Sequence, residues 1–156
     1  MGLFDNIFKK KFSGEPRELD RNSDEYKSNI RHATAALLVL MAYADENFSD
    51  VEYQKISAVL KRKFNISPGE VDKLLEESKS HIYPEEQVQK TLKFIDKNFY
   101  FDEKYDLMKS LYALMLADED LSAVELRLFT KISTALGINK IALSTIRKDV
   151  EREMET

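Results

Sequence analysis

A nine-residue segment occurs twice in this chain. Ala44-Asp-Glu-Asn-Phe-Ser-Asp-Val-Glu52 returns as Ala117-Asp-Glu-Asp-Leu-Ser-Ala-Val-Glu125, at an offset of 73 residues, with six of nine positions identical. An apolar segment precedes each copy. A helical pattern follows each and ends in Phe64-Asn-Ile66 or Leu136-Gly-Ile138. A repeat of this length, with similar flanks, constrains the fold strongly. Each half is a helix–turn–helix unit, and duplication implies approximate two-fold symmetry between the halves.

The flanks read as helical throughout. Ile30, Ala33, Leu37, Leu38, Met41 and Ala44 recur at spacings of three and four, as do Leu107, Met108, Leu111, Leu114 and Met115. Sustained alternation and Asn-Gly or Asp-Gly turns are missing, so strands are not expected. Boundary signals divide the chain into about seven helices, over 24–45, 49–64, 68–80, 85–98, 102–117, 122–135 and 139–153. Ser23 is a plausible N-cap for the first helix. Ser67-Pro68-Gly69-Glu70 reads as a capping box with proline at the first helical position. Asp102 and Asn139 are suited to cap the helices they precede, and Gly137 to the left-handed position after a helix. The expected architecture is all-α: duplicated helix-turn-helix halves packed with pseudo-two-fold symmetry around two central apolar helices that end at Ala44 and Ala117. Ser13-Gly-Glu-Pro16 separates residues 1–22, an amphipathic leader, from a helical domain over 23–156.

The turns carry the most suggestive chemistry. Ser49-x-x-Glu52 and Ser122-x-x-Glu125 are both capping boxes, which accounts for the serines and glutamates. Capping leaves Asp45 and Asp118 unexplained. Each falls at a helix C-terminus, where the dipole opposes a carboxylate, and Glu46 and Glu119 add like charge. Asp45-x-Asn47-x-Ser49 and Asp118-x-Asp120-x-Ser122 place oxygen ligands at positions 1, 3 and 5, as in the first half of a calcium loop. The glycine at position 6 and the glutamate at 12 are absent, so neither turn is an EF-hand. What remains is an oxygen-ligand site for a divalent cation, drawn from Asp45, Asn47, Ser49, Glu52, Asp118, Asp120, Ser122 and Glu125. Such ligands favour Ca, Mg or Mn over Zn. The competing reading has the aspartates accepting amide hydrogens from the neighbouring helix start, with no ion.

These residues carry a family resemblance. TerB-like (tellurite-resistance) proteins have two such halves, typically with Ala-Asp-Gly-x-Ile-Ser-x-x-Glu in each, and the chain resembles them over about residues 30–146, particularly the stand-alone bacterial members. It departs from their pattern in having Glu46 and Glu119 where glycine is usual. Asn47 and Asp120 are the residues suited to take over the tight turn. The resemblance implies an association with stress or tellurite-resistance systems near the inner face of the bacterial envelope.

Composition narrows the function classes. A net charge of −4 and a pI near 5.3 oppose nucleic acid as the main partner, since phosphate binding needs a dominant basic face. Lys61-Arg62-Lys63 is a small basic cluster, read as a solvated helix end. The chain has no cysteine, hence no thiolate ligand and no thiol nucleophile. His32 and His81 are the only histidines, and neither sits in a Glu-x-x-His or His-Glu-x-x-His pattern. His32 reads as a half-exposed helix residue. The four glycines are too scattered for a phosphate-binding loop. No enzyme is expected; a metal-dependent hydrolase ranks last, behind a binding module and a metal-free protein-interaction scaffold. The leader places Leu3, Phe4, Ile7 and Phe8 on one helical face, followed by Lys9, Lys10 and Lys11. Residues 1–12 therefore read as a membrane-surface helix or a segment that docks in a partner's groove. The expected location is the cytoplasm, including the inner membrane face, and the expected partners are proteins.

Overall fold

The computed structural model describes residues 22–44, 49–79, 85–116 and 122–155. Within them lie seven α-helices: α1 (Asp24–Ala42), α2 (Asp50–Phe64), α3 (Pro68–Lys79), α4 (Glu85–Asn98), α5 (Phe101–Leu116), α6 (Ala123–Ala135) and α7 (Lys140–Met154). The expected all-α class holds.

The two apolar helices occupy the interior. Ala33 and Ala35 to Val39 of α1 are buried, as are Leu107, Met108, Leu111 and Met115 of α5. A helix that is apolar on most sides gains from burial on all of them. Accordingly α1 packs against α2, α3, α4, α5 and α6, while α5 holds α7, α6 and α2. Ile56, Leu60, Leu75, Phe94, Phe129 and Ile132 from the surrounding helices complete the core.

Helix ends follow the predicted chemistry closely. Ser23 Oγ accepts the Tyr26 amide at 3.1 Å, Ser67 Oγ the Glu70 amide at 3.2 Å, and Asn139 Oδ1 the Ala142 amide at 2.8 Å. Gly137 has φ +72°, and the Gly137 and Ile138 amides donate to the carbonyls of Thr134 and Ser133. That pair of bonds closes α6 in a Schellman motif. Asn65 plays the equivalent part after α2, at φ 53°, donating to the Lys61 carbonyl. One cap differs from expectation. The fifth helix begins at Phe101, so Asp102 lies in its first turn instead of capping it. The Glu103 carboxylate turns back to accept the Tyr100 amide at 3.0 Å, the reciprocal bond of a cap at Tyr100.

His32 also differs. It is buried, not half-exposed, at 6% exposure. Its Nδ1 lies 2.7 Å from the Ser28 carbonyl and its Nε2 3.3 Å from Glu77 Oε2, which ties α1 to α3. Polar partners on both nitrogens are what make burial of an imidazole tolerable.

Candidate functional site

The starts of α2 and α6 are built alike. Ser49 (φ −83°, ψ 163°) and Ser122 (φ −80°, ψ 152°) are extended N-caps. Each hydroxyl accepts the amide three residues on, Glu52 at 3.2 Å and Glu125 at 3.1 Å. The hydroxyls also reach the glutamate side chains, at 3.4 Å from Glu52 Oε1 and 3.1 Å from Glu125 Oε1. Ser49 and Ser122 therefore cap as expected, while the glutamate carboxylates meet the cap hydroxyls.

The tertiary structure adds a relation between the copies. Glu52 and Glu125 line one small cavity of about 10 Å³, together with Lys55 and the apolar Met41, Ala42 and Leu114. That space is close to the minimum that holds a single water. It sits where the C-terminal parts of the two central helices meet the N-terminal turns of α2 and α6. Both helix starts contribute positive dipole ends near the carboxylates. Glu125 is 5% exposed, whereas Glu52 is partly exposed. Lys55 brings an ammonium to the same walls. The local inventory is thus two carboxylates and one cation, all hard donors or acceptors.

Of the sequence-predicted ligands, Glu52 and Glu125 line this cavity, and Ser49 and Ser122 each bond the glutamate of their own turn. Asp45, Asn47, Asp118 and Asp120 lie outside the described residues, as do Leu3, Phe4, Ile7, Phe8, Lys9, Lys10 and Lys11 of the leader. Among the described residues, no group of three or more His, Cys, Asp or Glu side chains is gathered closely enough to hold a metal. Sequence reasoning missed Lys55, whose lysine-in-a-helix setting has no distinguishing local signal.

A second feature escaped the sequence reading. Lys63 was expected on a solvated helix end. It is partly buried, and lines a groove with Lys27, Ile30, Arg31, Thr34, Phe64, Glu103 and Asp106. Burial pushes its ammonium below the ordinary lysine range, against the opposing pull of Asp106 and Glu103. Elsewhere, hydrogen bonding to Asp72, with burial and the Asp72 and Glu76 charges, raises the Tyr53 phenol to about 12. Burial and the Asp149 hydrogen bond do the same for Tyr105, also to about 12.

Among the described residues no helix is long and apolar enough to cross a membrane. No curated protein and no solved structure matches the chain. The family model of tellurite resistance protein TerB matches residues 31–148, which takes in both capping boxes, all of α5, the C-terminal part of α1 and the residues that line the small cavity. Given a match over most of its length, the chain belongs to the TerB family.

Proposed function

We propose that this TerB-family chain is a non-enzymatic binding module whose two acidic turns jointly hold a divalent cation and present the resulting surface to a protein partner, in the service of stress and tellurite-resistance systems. The observation that supports this best is that Glu52 and Glu125, from the two copies of the repeat, line the same cavity. The donor set suits the ion: carboxylate and hydroxyl oxygens favour Ca, Mg or Mn over Zn. Glu52 and Glu125 would anchor the ion, and Asp45 and Asp118 would complete its shell and lose their unfavourable opposition to the helix dipole.

Thermal unfolding of the full chain with each of the four ions separately tests this. Saturation at about 100 times Kd should stabilise the folded state by ~2.7 kcal/mol, or roughly 5–10 °C in Tm at this length. No shift with any ion, and no heat by titration calorimetry at millimolar metal, would leave the second reading. In that reading the module is a metal-free scaffold and Lys55 is the internal counter-ion of the two glutamates; its place in the cavity favours it. Lys55→Met separates the two. It should tighten ion binding if a cation belongs in the cavity, and lower ion-free stability without any ion binding if Lys55 is the resident charge.

The leader is the remaining contact surface in this reading, with residues 1–12 engaging a membrane surface or a partner groove. Deleting residues 1–20 should abolish binding to anionic vesicles while changing Tm little; a Tm loss of several degrees would instead assign the leader to the core.

A further inference from the structure

The groove around Lys63 carries chemistry that the acidic turns do not use. Four residues of α1, Lys27, Ile30, Arg31 and Thr34, stand at spacings of three, one and three and so share one helical face. This face meets the C-terminal end of α2, which supplies Lys63 and Phe64, and the first turns of α5. The open groove between them has a volume of about 360 Å³. That is the lower range of small-molecule sites.

Three observations single it out. First, the cations Lys27, Arg31 and Lys63 converge on the groove, and none of them forms an ion pair among the described residues. Second, Lys63 is partly buried there, a cost that the pull of Asp106 and Glu103 does not fully offset. Third, Thr34, only 1% exposed, lines the groove, and its hydroxyl has no hydrogen-bond partner. Buried hydroxyls are nearly always paired, so an orphan in a groove wall calls for an explanation. The groove has two carboxylates. Glu103 is already committed, accepting from the Tyr26 hydroxyl and the Tyr100 amide. Asp106 is exposed, and leaves the cationic side in excess.

We infer that this groove binds a small molecule that carries a phosphate or carboxylate beside a short apolar body, the oxyanion meeting Lys63, Arg31 and Lys27 and the apolar part resting on Ile30 and Phe64. An oxyanion adds to the counter-charge that Asp106 and Glu103 supply only in part. Two forked donors from Arg31 and a mobile Lys27 ammonium suit either anion.

The test is an amide NMR titration of the full chain with phenyl phosphate, benzoate, inorganic phosphate and benzylammonium. Binding should shift amides on α1 around Lys27–Thr34 and at the end of α2. Phenyl phosphate or benzoate should bind about tenfold more tightly than inorganic phosphate, and the tighter of the two identifies the anion. Lys63→Gln and Arg31→Gln should each weaken that binding about tenfold or more, and Lys63→Arg should largely retain it. Circular dichroism melts confirm that the variants are folded. The proposal is overturned if shifts scatter over other surface lysines, if benzylammonium binds equally well, or if both glutamine variants keep full affinity. Because no residue of the groove belongs to the acidic turns, failure here leaves the divalent-cation reading untouched, and the reverse.

Discussion

Glu52 and Glu125, 73 residues apart in the chain, line the same cavity from the first turns of two different helices. Each is held by the serine three residues before it. Their position thus depends on two local caps, and the caps can be tested separately from any ion. Ser49→Ala and Ser122→Ala should each cost about 1 kcal/mol in chemical denaturation, with or without divalent cations. A cost that appears only when metal is present would mean that the hydroxyls serve as ligands more than as caps.

The two left-handed residues should respond in opposite ways to substitution. A Cβ at Gly137 meets open space, so Gly137→Ala is penalised by backbone conformation alone. The expected loss is about 1 kcal/mol. Asn65→Gly removes the same penalty at the matching position after α2 and should be neutral or slightly stabilising, apart from the larger entropy of the unfolded glycine. Equilibrium urea denaturation of the two variants gives both signs.

Ser57 lies in α2, 8% exposed, and its hydroxyl has no partner. Ser57→Ala removes that buried donor and improves helix propensity. Stability should rise by about 0.5 kcal/mol. A clear loss in the melting curve would reveal a hydrogen bond that the structure does not contain.

Tyr53 and Tyr105 should titrate late. With phenols raised from 10.0 to about 12, Tyr53 and Tyr105 keep their protons in the folded chain when unfolded phenols have lost theirs. The folded state then binds more protons between those values, so the stability they contribute is complete below pH 10 and is lost as pH climbs towards 12. Absorbance at the phenolate band should show a late component, reduced by Tyr53→Phe and again by Tyr105→Phe. A single transition near the ordinary tyrosine value would refute the Asp72 and Asp149 hydrogen bonds.

Helix content, most caps and the buried faces of α1 and α5 were legible in the residues alone. Those features are local: a serine cap, a proline at the first turn, a glycine at positive φ and a 3.6-residue apolar period act over a few neighbouring positions. Asp102 shows the limit even at that range, because the helix starts at Phe101, with Glu103 closing back on the Tyr100 amide. The duplicated turn likewise announced Ser49, Glu52, Ser122 and Glu125 as related residues. That Glu52 and Glu125 share one cavity with Lys55 was decided by tertiary packing, since the packing of α2 and α6 against the central helices sets the distance between them. The same holds for His32, which looked half-exposed until α3 laid Glu77 against it. It holds for Lys63, whose lysine-rich helix end gave no hint that α1 and α5 would partly shield it from water. Burial and charge pairing between distant segments depend on which helices meet, and no single helix period encodes that.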